Sequence, residues 1–357
     1  MLSSIRKVMC ISLLLLSYNA AGTPIINNVV IDLNNDGDKI IRVFGSGFGS
    51  EGAEILAWDD FEAQTVGQEI NGSNSKLGRN WSTQYSYSGA GAVWDDGAAV
   101  SGSVSAKIDW SEDANSIRAF EFSGTESYTQ LFISYWRKMQ GDYDSERRDN
   151  HKQFYLFGDN AQFPQLMPLI PAGGNRWGVY NNVGDPNVSF NARNNINSKN
   201  WNYSNTRDVF QRWSFYVALN TPGQYDGTIK GWLNGKLGID TETYQVAHVV
   251  GGFRDFRLGH MARGFESTAK AWFDDVYVAT SQARIELCDA AKWSECSEAH
   301  ILPTASSDWT DSELAGEYRN VFESEFFLYV VDSSGNVNQS GFLVRPSGSP
   351  PKPPFFK

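Results

Sequence analysis

The 357 residues carry 41 Asp and Glu against 30 Lys and Arg, and the resulting formal charge of −11 excludes sequence-independent binding to nucleic acid. Aromatics at 14% and 33 glycines, with short apolar alternations and hardly any helical periodicity, exclude a helical bundle and predict an all-β chain long enough for two domains. An acidic polymer would be repelled at long range, so a groove for one must concentrate its cations locally.

At the start, Arg6 and Lys7 precede an apolar run over 8–16, and Ala20, Ala21 and Gly22 follow it. Residues 1–22 are therefore predicted to be a secretory signal peptide, too short to span a bilayer. Cys10 lies near the start of the apolar run rather than at its end, which argues against a lipoprotein anchor. No later segment is long and apolar enough to span, so a secreted monomer, periplasmic or extracellular, is expected. Cys288 and Cys296 then remain as an even pair in an oxidising compartment and are expected to form a disulfide.

Within 23–56, KIIRVFGSGFGS (39–50) reads as a strand ending in glycines that permit a sharp bend, with Phe48 turned into a core. The helix that a nucleotide-binding loop would need does not follow. The phrases AWDDFEAQTVGQEI (57–70) and AWFDDVYVAT (271–280) read as strands with paired acids, and Glu62 and Asp275 from them suit one structural Ca²⁺ held through oxygen. No other cofactor is required. Between them, strands are predicted at 103–110, 116–122, 130–139, 151–157, 176–183 and 253–261. The Gly, Asn and Asp-rich stretches 141–150 and 181–205 read as loops at a groove rim.

The stretch 212–236, RWSFYVALNTPGQYDGTIKGWLNGK, reads as a hairpin. Trp213, Phe215, Val217 and Leu219 alternate with polar or smaller residues, Pro222-Gly223 and Asp226-Gly227 supply the turn, and Ile229, Gly231 and Leu233 alternate with Lys230, Trp232 and Asn234. The second set offers a cation, an indole and an amide, a face suited to stacking and hydrogen bonding a sugar polymer. A lone Trp beneath a loop is the more ordinary outcome.

This hairpin resembles the matching one in secreted jelly-roll proteins of the concanavalin A-like class, especially polysaccharide lyases: Trp, alternating strand, Asn-Thr-Pro-Gly, Asp-Gly, then Trp-x-Asn-Gly. The resemblance implies a jelly-roll sandwich over 57–282, its first and last strands side by side. KIIRVFGSGFGS, together with SSDWTDSELAGEY (306–318), FFLYVVDSSGNV (326–337) and GFLVR (341–345), resembles IPT/TIG domains, which are small immunoglobulin-like sandwiches. That resemblance implies one sandwich made of 23–56 and 283–345 and split by the jelly roll, with two separate flanking modules as the alternative. Residues 346–357 form a Pro-rich tail.

Strand alternation sorts the candidate site residues. In HKQFYLF (151–157), Lys152, Phe154 and Leu156 are expected to face the core, and His151, Gln153 and Tyr155 to face outward. In RWGVYNN (176–182), Trp177 and Val179 claim the core, leaving Tyr180 and Asn182 to the groove. This strand resembles the Gly-Val-Tyr-Asn-Gln strand of an alginate lyase family, although Trp177 and Asn182 replace that family's Lys and Gln and its Gln-Ile-His motif is absent. Arg137, mid-strand among aromatics, calls for an acidic partner or a ligand. His248 and His300 read as structural, and His260, ending an apolar strand, is placed at the groove.

These residue types suit β-elimination from a uronate-containing glycan. Such a lyase must neutralise the carboxylate, remove the C5 proton, and protonate the departing glycosidic oxygen. The expected proton-transfer and carboxylate-holding set is His151, Tyr155, Tyr180 and Arg137, with Gln153, Asn182, Lys230, Trp232, Asn234 and His260 binding an acidic polysaccharide. A noncatalytic glycan-binding or cell-surface module is the alternative. A retaining glycoside hydrolase is disfavoured, since the Glu-x-Asp-x-Glu strand that presents paired acids on this fold is absent.

Overall fold

Period-two alternation interrupted by Gly, Asn, Asp and Pro leaves the backbone little option but strands joined by turns, and strands are what the computed structural model contains. It describes residues 22–33, 39–63, 65–70, 72, 75–81, 83–86, 91–110, 118–122, 124–140, 151–159, 162–170, 176–182, 196–202, 206–248, 250–261, 269–319, 321–322 and 325–346. All but the last residue of the signal peptide expected at 1–22, nearly all of the Pro-rich tail and the rim loop 141–150 lie outside them, as does most of the loop expected at 181–205.

In chain order the strands begin with β1 (Ile25–Leu33), β2 (Lys39–Ser46), β3 (Ile55–Asp59), β4 (Leu77–Gly78), β5 (Thr83–Ser86), β6 (Val93–Asp95), β7 (Ser105–Asp109) and β8 (Arg118–Phe122). The middle of the chain supplies β9 (Gln130–Gln140), β10 (His151–Gly158), β11 (Gln162–Ile170), β12 (Arg176–Asn182), β13 (Ile196–Asn202), β14 (Gln211–Ala218), β15 (Gly227–Leu233), β16 (Lys236–Tyr244), β17 (Phe253–Met261) and β18 (Lys270–Ala279). The last are β19 (Arg284–Cys288), β20 (Ala299–Leu302), β21 (Glu313–Glu317), β22 (Phe326–Val331) and β23 (Phe342–Val344).

Two large antiparallel sheets form a sandwich. One runs β13-β12-β11-β10-β17-β8-β5; the other runs β16-β15-β14-β9-β18-β3-β4, with β6 and β7 joined beside β18. The strands carrying the paired acids, β3 and β18, lie side by side with Val276 opposite Asp59. The expected hairpin is β14-β15: Trp213, Phe215 and Val217 sit opposite Leu233, Gly231 and Ile229. These residues enter the inter-sheet core with Phe154, Leu156, Trp177, Val179 and Phe273. Trp213 lies edge-on to both Trp177 and Trp201, ring centroids 5.5 and 5.4 Å apart. Gly238 makes room for the Trp201 indole, since a Cβ there would lie 2.4 Å from the ring.

The outer face of the β14-containing sheet is itself covered. Trp58, Phe132 and Tyr277 on that face share a second apolar cluster with Ile41 and Val43 of β2, Ile285 and Leu287 of β19, Leu314 of β21, and Phe326 and Leu328 of β22. Around this cluster β1-β2-β21 form one small sheet and β20-β19-β22-β23 another. Strands near the two ends of the chain thus pair directly, Arg42 opposite Ala315. Cys288 and Cys296 are disulfide-bonded beside this layer, Cα atoms 5.8 Å apart. Among the described residues no helix is long and apolar enough to cross a membrane.

Candidate functional site

The strand that decides the site is β10, and it does not alternate as HKQFYLF suggests. Against β17 its register slips between Lys152 and Phe154 with the extra residue on β17, whereas against β11 it slips between Lys152 and Leu156 with the extra residue on β10 itself. A bulge of this kind inserts one residue and reverses the parity beyond it. Before the slip His151 and Gln153 point inward, and after it Phe154 and Leu156 do. Lys152, Tyr155 and Phe157 are left on the outer face, so the expectation that His151, Gln153 and Tyr155 share a face is corrected, and so is the placement of Lys152 in the core.

The inward group is a sealed one. Arg137 (1% exposed) donates from Nη2 to His151 Nε2 at 2.5 Å and lies over the Trp177 and Phe273 rings, 5.4 and 5.7 Å from their centroids. Burial, reinforced by the neighbouring guanidinium, holds the His151 pKa well below the usual imidazole range. The neutral ring accepts from Arg137 and packs edge-on against Trp110 and Trp177. Gln153, fully buried, accepts from the Tyr135 hydroxyl at 2.7 Å, and its Nε2 meets no hydrogen-bond acceptor among the described residues.

The outward group gathers differently. Tyr155, Phe157, Met167, Leu169 and Tyr180 form a cluster of their own on the outer face of the β10-containing sheet. Across the strands Arg257 stands opposite Tyr155, and Met167 opposite Tyr180. The neighbouring rung carries Asp255, Phe157, Gln165 and Asn182. Asn182 thus holds a register position on this face, its side chain lying outside the description; the side chain of His260, in β17, is likewise outside it. The Lys152 ammonium lies 5.2 Å from the centroid of the Tyr155 ring, and the Arg257 guanidinium 4.5 Å from that of Phe157. Tyr155 donates its hydroxyl to Gln165 Oε1 at 3.0 Å. Burial raises the Tyr155 phenol and Arg257 partly opposes it; burial also raises Tyr180. Both phenols therefore keep their protons at neutral pH. Three residues on this face were not singled out from the sequence: Lys152, turned outward by the bulge; Gln165, in a strand not expected at 162–170; and Arg257 in β17.

The hairpin residues proposed for the same groove lie elsewhere. Lys230 and Trp232 are on the outer face of the other large sheet, where Trp232 packs against the second apolar cluster. Lys230 is held by Glu242 at 2.8 Å, which raises its pKa despite partial desolvation. Asn234 and Gly235, at φ 48° and 72°, make the two-residue turn between β15 and β16, and Asn234 Oδ1 accepts from the Arg212 backbone N–H at 2.8 Å.

The paired acids also find protein partners. Asp275 (φ 46°) accepts from Ser101 Oγ, His300 Nδ1 and Arg319 at 2.8, 2.8 and 3.2 Å. Asp60 takes Lys76 and Arg319 at 2.9 and 3.0 Å, and Asp59 accepts from Trp81 Nε1 at 2.7 Å while burial pushes its pKa up to about 6. Glu62, expected with Asp275 to hold a calcium ion, accepts from the backbone N–H groups of Ser103 and Val104 at 2.8 and 2.7 Å. Among the described residues, the one group of three or more His, Cys, Asp or Glu with donor atoms close enough to share an ion is Cys288, Asp289 and Cys296, whose two sulfurs are bonded to each other.

No protein-family description matches the sequence, and no curated protein matches it. Among solved structures, the chain is similar to an endo-β-1,4-glucuronan lyase from the fungus Trichoderma reesei, with TM-score 0.46, 11% identity, and 61% of this chain and 96% of that one covered. It is also similar to a variant of alginate lyase Aly36B in complex with alginate tetrasaccharide (TM-score 0.46, 11% identity, 64% and 97% covered). A third similar structure is Cip1, a cellulose-induced protein (TM-score 0.39, 15% identity, 63% and 97% covered). Likenesses at this level carry no argument about residues or mechanism.

Proposed function

We propose that this is a secreted carbohydrate-active protein, a polysaccharide lyase that cleaves an acidic glycan by β-elimination on the outer face of the β10-containing sheet. The observation that supports it is the grouping of Tyr155 and Tyr180 with Lys152, Arg257 and Gln165 on one sheet face of an otherwise acidic chain. Elimination breaks the C5–H and C4–O4 bonds and forms the C4=C5 double bond, with a proton delivered to O4. Lys152 and Arg257 supply positive charge for the uronate carboxylate, and so favour loss of the C5 proton. A phenol that keeps its proton at neutral pH suits protonation of the leaving oxygen, the role assigned to Tyr155. Tyr180 is then the base and acts as the phenolate left when hydroxide takes its proton; it accepts the C5 proton while Tyr155 gives its own to O4, so turnover should rise with pH above neutrality. In this reading the large sandwich is a jelly roll at 57–282, and the small sheets, from 23–56 and 283–345, are an immunoglobulin-like unit interrupted by it.

A noncatalytic glycan-binding module is favoured by one observation: the imidazole expected as base is sealed in the core, and burial raises both phenols. A panel of uronate polymers followed by absorbance of the unsaturated product separates the two readings. The lyase reading requires product from at least one polymer, with Tyr155→Phe lowering turnover about 10²-fold or more while folding persists. Binding without product from any polymer selects the module.

A further inference from the structure

Between the outer face of β14-β15 and the layer built by β19 and β22 lies a small cleft of about 60 Å³ that opens to solvent. Arg212, Ser214, Trp232, Gln282, Arg284 and Trp293 line it. Two of the lining residues are arginines that share a single acid. Arg212 donates from Nη1 to Glu286 Oε2 at 2.6 Å; Arg284 donates from Nε to Glu286 Oε1 at 2.5 Å and from Nη1 to the Gln282 carbonyl at 2.7 Å. The three side chains are only 6%, 9% and 1% exposed.

Two guanidinium groups against one carboxylate leave one positive charge uncompensated within this triad, and a charge so far removed from water calls for a counter-anion. Each guanidinium carries five N–H donors, and among the described residues the acceptors they reach are the Glu286 carboxylate and, for Arg284, the Gln282 backbone carbonyl. Trp232 and Trp293, both half-buried, supply indole surface on the same cleft. Aromatic faces bind the CH faces of a ring, and paired guanidinium N–H groups bind a carboxylate.

The geometry points to a second ligand site in this cleft, specific for a small ring compound bearing one carboxylate, namely a sugar acid such as a uronic acid residue. The carboxylate takes the place of the missing acid beside Arg212 and Arg284, and the ring lies against Trp232 and Trp293. The site is on the far side of the sandwich from Tyr155 and Tyr180, so it is not part of the elimination site. Only the choice of a sugar rests on the proposed function; the anion preference rests on the triad.

The test titrates the full-length protein with glucuronate, glucose and benzoate, by calorimetry and by saturation-transfer NMR. It is repeated on Arg212→Gln, which leaves Arg284 and Glu286 as a one-to-one pair, and on Trp293→Ala. Glucuronate should bind, glucose about tenfold or more weakly, and both variants should lose about tenfold in glucuronate affinity. Tyr155→Phe should leave this affinity unchanged even if no polymer yields unsaturated product, which separates a failure here from a failure of the lyase reading. Equal binding of glucose and glucuronate, binding of benzoate alone, or glucuronate affinity unchanged in Arg212→Gln and Trp293→Ala would each overturn the assignment.

Discussion

Replacing His300 by Gln should remove a pH dependence from folding. His300 lies between the large sandwich and the outer layer, with Nδ1 on Asp275 and Nε2 3.4 Å from Glu298. Burial alone would depress its pKa, but the bonds to Asp275 and Glu298 outweigh that and carry it up to about 9. In the unfolded chain the imidazole titrates near ~6.5. The folded state therefore holds this proton more tightly, and its stabilisation is complete below about pH 6.5 and is lost as pH rises through about 9. At about 1.4 kcal/mol per pH unit, the interval corresponds to about 3 kcal/mol. Urea denaturation of wild type and His300→Gln at about pH 6 and about pH 9.5 measures it, because titrations common to both proteins cancel in the difference. Wild type should lose about 3 kcal/mol more than the variant across that interval. Parallel pH profiles would show that His300 titrates alike in both states and would refute the reasoning.

Trp213→Ala should destabilise the protein by about 3–5 kcal/mol in denaturant melts, since the indole is 1% exposed and packs against Trp177, Trp201 and Phe215. Gly238→Ala should cost about 1–3 kcal/mol by forcing the Trp201 ring to move, and the Gly238→Ala/Trp201→Leu pair should recover part of it. Removing the Cys288–Cys296 bond by double substitution to Ser should cost about 2–3 kcal/mol by the loop-closure argument, measured on the oxidised wild type as reference.

The hairpin at 212–236 was legible because its information is local: period-two burial and turn residues fix both strands without reference to the rest of the chain. The faces of β12 were legible for the same reason. The faces of β10 were not, since a bulge is a property of a strand and its two neighbours, and nothing in HKQFYLF marks Gln153 and Phe154 as the place where parity reverses. Lys230 and Trp232 were assigned correctly to an outward face but to the wrong side of the molecule. Alternation separates inside from outside within one sheet, and it is silent on which of two outer faces a second layer covers. His300 read as structural from its apolar neighbours, yet its charge comes from Asp275 across a layer boundary that only the tertiary structure sets.

Gly49 donates its backbone N–H to Asp311, 262 residues later in the chain, in the same region where β2 pairs with β21. On a ribosome adding roughly 5–20 residues per second, the partner emerges roughly 13–50 s after the β1-β2 hairpin. Throughout that interval the β2 edge has no strand beside it, and Ile41 and Val43 have no layer to cover them. The hazard in biogenesis is therefore early and concerns the first strands made, while the large sandwich can form from contiguous chain. Slowing synthesis should increase aggregation through that exposed edge, and a chaperone that shields extended apolar segments should act on the nascent chain before β21 leaves the exit tunnel.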